Sequence, residues 1–176
     1  MTSDAGQTEQ QDGPSTPTAR LAALGLTLPP VAAPVAAYVP AVRLGATVWT
    51  SGQLPFVDGR LPARGAVGDG LRSAVDAEAA QGYARTAALN ALAAVAAEAG
   101  GLDEVARIVK VVVFVASSPD FTGQPAVANG ASELFGAVFG SPHARSAVGV
   151  TVLPLDSPVE VEVVAELVSR PTVVPV

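Results

Sequence analysis

Arg145, Glu160 and His143 are the side chains whose types could bind charge or move a proton within one short stretch of this sequence. A guanidinium presents N–H donors in a planar fork, the shape that grips a carboxylate by two parallel hydrogen bonds. A carboxylate such as Glu160 can exchange a proton with a reacting group, and so can the single histidine, His143. Tyr38, Asn129 and the Ser51-Gly52 pair add a phenol, an amide and a loop whose backbone a ligand can approach closely. Each type also has an ordinary structural use. Arg145 could pair with an acid at a subunit interface, Glu160 could occupy a solvated strand position, and Tyr38 could be a half-buried strand aromatic. Asn129 could hydrogen-bond across a helix, Ser51-Gly52 could serve turn geometry alone, and His143 reads as an interface or surface residue.

Composition narrows the chemistry by exclusion. The 176 residues include no cysteine, which removes disulfides, thiolate zinc sites and a cysteine nucleophile. One histidine leaves no multi-histidine metal site, so no metal is expected. Net charge is −6 with ten Lys plus Arg, which lacks the electrostatic footprint of a nucleic-acid binder. Mean hydropathy is high at +0.42, yet Pro or polar residues break every apolar run well short of the roughly 18 to 20 residues of a membrane span. The start, Met1 to Pro17, has neither a basic segment nor an apolar one, so a cytoplasmic protein without secretory signal is expected. Aromatics are only 5%, so the core must come from Ala, Val and Leu, with close helix-on-sheet packing and some apolar surface hidden by self-association.

The elements that must position these residues follow from periodicity and breakers. Residues 1–18 are polar and read as a disordered tail, 19–170 as a single domain, and 171–176 as a C-terminal extension. Ala19 to Leu26 reads as a short helix closed by Gly25 and Pro29-Pro30, and the stretch to Ala37 as irregular. Tyr38 to Leu44 and Thr47 to Thr50 read as two strands around a Gly45-Ala46 turn. Asp76 to Ala99 is an Ala-rich helix stopped by Gly100-Gly101, with Ala84, Ala88, Ala91, Leu92 and Val95 on one stripe. Arg107 to Val115 is a β-branched central strand, and Gln124 to Phe139 a second long helix with Val127, Ala131, Leu134 and Val138 on one side. Ser146 to Leu153 and Val159 to Val168 close the chain as strands. Two helices on one face of a mixed sheet make an α+β sandwich.

Alternation within the last two strands assigns their faces. Ser146, Val148, Val150 and Val152 share one side, taken as the apolar side toward the helices, and Arg145, Ala147, Gly149 and Thr151 share the other. In the final strand Val159, Val161, Val163 and Ala165 oppose Glu160, Glu162, Val164 and Glu166. If the two strands form a simple hairpin turning near Leu155-Asp156, Arg145 lies opposite a residue near Glu166, and Glu160 is roughly 20 Å away along the strand. One hairpin then cannot bring Arg145 and Glu160 together; a neighbouring chain or a sharply bent strand must, and the cleft is expected to be shared between subunits.

Tyr38, Ser51-Gly52-Gln53 followed by Pro55, Val113-Phe114-Val115, Asn129, Ala144-Arg145-Ser146, Leu153-Pro154 and Val159-Glu160-Val161-Glu162 carry a resemblance. In order and spacing they are similar to the reactive-intermediate deaminases of the RidA, or YjgF-type, family, over about Leu26 to Leu167. The resemblance implies a chorismate-mutase-like (ferredoxin-like βαβ) subunit and a homotrimer with a central barrel and clefts between subunits. It implies hydrolysis of reactive enamines and imines, the 2-iminobutanoate and 2-iminopropanoate type, to 2-keto acids and ammonia, with no cofactor. By that match Arg145 holds the substrate carboxylate, Glu160 positions water, and Tyr38, Ser51, Gly52, Asn129 and the backbone of Ala147 line the cleft. The sequence departs from the best-known branch, which has a cysteine two residues after the arginine and an acid two beyond that, where this chain has Ala147 and Gly149. A non-enzymatic trimer that binds small carboxylate metabolites, and a ribonuclease, are the competing readings; the acidic charge speaks against the latter.

Overall fold

A computed structural model describes residues 15–31, 37–68 and 74–169. Residues 1–14 of the expected tail (1–18) and the expected extension, 171–176, lie outside the described residues. The first helix, α1 (Pro17–Ala23), starts two residues before the expected Ala19, because Thr16 caps it and Pro17 occupies its first turn, where a missing N–H costs nothing. Strands β1 (Ala41–Leu44) and β2 (Thr47–Thr50) form the expected hairpin, though β1 starts three residues after the expected Tyr38. Two-residue strands β3 (Ala66–Val67) and β4 (Ala74–Val75) pair in a small parallel sheet within the Gly-rich connection.

Helix α2 (Ala77–Ala99) begins at Asp76, whose carboxylate accepts from the N–H groups of Glu78 and Ala79, and ends at Gly100 in the left-handed region. Its predicted stripe is fully buried: Ala84, Ala88, Ala91, Leu92 and Val95 expose nothing. Strand β5 (Val105–Ala116) runs longer than expected and leads into helix α3 (Gln124–Phe139), whose bounds match the sequence reading. The chain closes with β6 (Ala144–Val150) and β7 (Val159–Leu167).

The five long strands order as β1-β2-β7-β5-β6 in one mixed sheet. β5 and β6 are parallel with α3 as the crossover, a βαβ unit, and β7 lies antiparallel on the other side of β5. The simple hairpin between β6 and β7 is therefore not formed. A twelve-residue β-branched strand must pair along both edges to bury its backbone, so β5 is inserted between them. The connection passes the end of β5, where Ala116 N–H donates to Pro158 O and Ser117 N–H to Val150 O. The last strand but one also ends at Val150, short of the expected Leu153.

All three helices contribute to the packing: α2 and α3 cover one sheet face, while α1 packs against α3. Val111, Val113, Val115, Val159, Val161, Val163 and Ala165 point into that core. Register then corrects the faces of β6. Val111 pairs with Arg145, Val113 with Ala147 and Val115 with Gly149, so these three β6 residues lie on the helix side. Ser146, Val148 and Val150 belong to the open side, and Val148 is exposed.

Candidate functional site

Arg145 reaches from edge strand β6 toward α3. Its Nη1 donates to Asn129 Oδ1 at 2.8 Å and to Ser132 Oγ at 3.1 Å. Both acceptors come from one face of the helix, three residues apart, which is the spacing that makes neighbours on a helix. Both are neutral, and Arg145 forms no ion pair with a described residue. Two of its five N–H donors are thus spent, and the Nε and Nη2 edge remains, the edge suited to a planar carboxylate. His143 Nε2 lies 3.0 Å from the same Ser132 Oγ. Burial first, and the charge of Arg145 second, hold the His143 pKa below its ordinary value. Along β6 from Arg145 come Ala147 and Gly149, and Gln124 at the start of α3 lies over Gly149 with Ser117.

Glu160 belongs to a second group. A Cβ on Gly52 would fall 1.5 Å from Glu160 Oε1, so the carboxylate lies directly over that glycine. The loop is tied to β7 by paired backbone bonds between Gln53 and Val161, at 2.8 and 3.0 Å. Ser51 Oγ donates to Val39 O at 2.7 Å, which brings the segment after Tyr38 beside the loop. Buried Asn90 of α2 holds the next turn by donating to Leu54 O and Phe56 O. Burial, with repulsion from Glu162 second, pushes the Glu160 carboxyl above the usual glutamate range.

The predicted residues therefore fall into two groups: Ser51, Gly52 and Glu160 meet beside β7, with Tyr38 one residue before Val39, and Asn129 and Arg145 meet at α3, with Ala147 two residues along β6. Phe114 of β5 pairs with both Val148 and Glu160. Arg145 and Glu160 are thus two strands and three residues apart, about 14 Å between Cα positions, and face opposite sides of the sheet. Two cavities among the described residues lie elsewhere. One of about 840 Å³ is lined by Asp76, Ser118, Asp120 and Thr122, and an apolar one of about 670 Å³ by Phe56, Val57, Leu89 and Leu155. Ser132, Asn90 and Gln124 were not singled out by the sequence. Ser132 was within reach of it, lying three residues after Asn129 on the same helix face.

The model of the family described as Endoribonuclease L-PSP matches residues 30–167, the whole five-stranded sheet and all of α2 and α3. The chain belongs to this YjgF/RidA family. The RidA-family chain is 44% identical over 152 residues to Protein TCP17 of Trypanosoma cruzi, covering 85% of this chain and 92% of that one. The crystal structure of Atu1372 from Agrobacterium tumefaciens, a protein of unknown function, is 44% identical with a TM-score of 0.76, covering 86% and 92% of the two chains. E. coli TdcF, solved with bound serine, is 28% identical with a TM-score of 0.56, covering 80% and 95%. The α+β, chorismate-mutase-like fold of this RidA-family chain agrees with these likenesses. No described helix is long and apolar enough to cross a membrane.

Proposed function

We propose that this chain hydrolyses reactive 2-imino and enamine acids of the 2-aminoacrylate type to 2-keto acids and ammonia, in clefts shared between the subunits of a homotrimer. The observation that carries the reading is Arg145, an arginine fastened through Nη1 to two neutral oxygens, with its Nε and Nη2 edge unspent. A 2-imino acid offers that edge its carboxylate. The open sheet face, with Leu44 73% and Trp49 50% exposed, supports assembly with further copies. Assembly is also what these two groups, as half-sites, require, since one subunit's Glu160 cannot reach its own Arg145.

In the proposed reaction, water adds to C2 of the imine as Glu160 accepts its proton, and the C=N electron pair moves to nitrogen. That proton passes to nitrogen to give a carbinolamine; the hydroxyl proton then follows it to nitrogen through the same carboxylate, the C–N bond breaks as the C=O bond forms, and ammonia leaves. A carboxyl whose pKa is raised by burial suits both directions of this transfer. The backbone N–H groups beside Arg145 and the Ser51-Gly52 loop would hold the ends of the substrate, so positioning supplies most of the acceleration. No cofactor takes part. The nuclease activity in the family's description suits this chain less, since its net charge is −6 and its single histidine is bonded to Ser132.

The test generates 2-aminoacrylate in situ with a lyase and follows keto-acid release. Wild type should accelerate release, and Arg145→Ala should lose that acceleration by on the order of 10²-fold, the scale of removing one partner of a desolvated charge pair. Equal rates in wild type, variant and buffer would remove the deaminase reading. Keto-acid binding without turnover would leave a carboxylate-binding trimer in its place.

A further inference from the structure

One of the two acceptors that hold Arg145 is itself held. Ser132 Oγ lies between Arg145 Nη1 and His143 Nε2, at 3.1 and 3.0 Å. The His143 ring stands edge-on to Phe135, with centroids 6.1 Å apart and an interplanar angle of 88°, so its pose is set by packing. Its Nδ1 is buried with no hydrogen-bond partner among the described residues. A buried N–H left without an acceptor is rarer than an unsatisfied lone pair, which favours the tautomer with the proton on Nε2. His143 then donates to Ser132 Oγ, and the two lone pairs of that oxygen are filled by His143 and Arg145. A serine nucleophile activated by histidine needs the opposite polarity, with Oγ giving its proton to the ring, and a third group to orient the ring. Neither condition is met, so the arrangement is a brace.

We propose that His143 is a positioning residue: by fixing Ser132 Oγ it fixes Arg145 Nη1, and so determines that the Nε and Nη2 edge faces the ligand carboxylate. This rests on the carboxylate-binding role of Arg145 and extends it to two residues that touch no substrate atom themselves. The effect should therefore pass wholly through Ser132.

A double-mutant cycle tests this on the full chain, with 2-oxobutanoate as the titrated ligand. His143→Ala and Ser132→Ala should each weaken binding about tenfold, near 1.4 kcal/mol. The double variant should bind no more weakly than Ser132→Ala alone. His143→Gln, whose amide N–H can still reach Oγ, should recover most of the affinity, and in turnover KM should rise with kcat little changed. Additive losses, or wild-type binding by His143→Ala, overturn the proposal. Should His143→Ala fold poorly, His143→Phe keeps the packing on Phe135 without the nitrogen and carries the same test. A crystal structure of the variant separates this inference from the one beneath it. If wild type binds no carboxylate, the proposed function fails. Independently, a guanidinium that keeps both its bonds to α3 without His143 overturns the brace, and one that swings away supports it.

Discussion

Glu160 and Gly52 share one small volume, and the glycine is there because the carboxylate takes the space a side chain would need. Burial first and Glu162 second make ionisation of Glu160 harder in the folded chain than in the unfolded one, where glutamate titrates near 4.5. The charged form thus weighs against the fold above the raised pKa. That penalty is relieved as pH falls through the raised value, and is gone below the unfolded one. Glu160→Gln should melt at a higher temperature than wild type at pH 7, with the gap closing as the pH drops toward 4.5. Thermal denaturation across that range checks it, and a gap that widens on acidification would reverse the assignment. The residue types at this site were legible from the sequence, and so was the Ser51-Gly52 loop. Ser132 and His143 as a brace were not, because a serine in mid-helix and a histidine in a loop carry no local signal of meeting.

At the scale of elements, the contact between α2 and α3 depends on a single missing side chain. A Cβ on Gly130 would meet Gln81 O at 1.9 Å and Arg85 N at 3.1 Å, both backbone atoms that cannot step aside. Gly136, on the same helix, has nothing within 4 Å of the corresponding point and is exposed. Gly130→Ala should therefore destabilise by about 1–3 kcal/mol, the cost of overpacking. Gly136→Ala should stabilise by about 1 kcal/mol through helix propensity alone. Denaturant titrations of the pair decide the point, and equal shifts would mean that the helices can move apart freely. Both helices were legible because apolar stripes of period 3.6, an Asp cap and glycine stops are local features. The faces of β6 were misread for a related reason. Val148, Val150 and Val152 make the more apolar side locally, but the pairing of Arg145, Ala147 and Gly149 with Val111, Val113 and Val115 turns the other side toward the helices.

Taken whole, the chain buries one sheet face and leaves the other open, with apolar and charged side chains together. Val42, Leu44, Trp49 and Val148 lie on that open side with Glu160, Glu162 and Lys110, whose Nζ donates to Ser146 Oγ at 2.8 Å. At its edge the ion pair between Arg107 and Glu166, at 2.6 Å, is partly solvated and contributes little to stability. Trp49→Glu would place a charge on the open face proposed for the subunit contact. It should leave the far-ultraviolet circular dichroism unchanged, lower the mass seen by sedimentation, and reduce deamination at least about tenfold, since half-sites from different copies would no longer meet. A variant with wild-type mass and rate would show that this face is not where copies join.

The sequence alone determined the helices, the long central strand, the family and the residue types available for chemistry. Each of these is written in neighbours a few positions apart, where periodicity, capping and breaking act. Tertiary structure decided that β5 separates β6 from β7, and with it that Arg145 and Glu160 look to opposite sides of the sheet. It also decided that Arg145 Nη1 and His143 Nε2 meet at Ser132 Oγ. Strand order and register depend on contacts between distant parts of the chain, and a shift of one residue would turn every side chain to the other face.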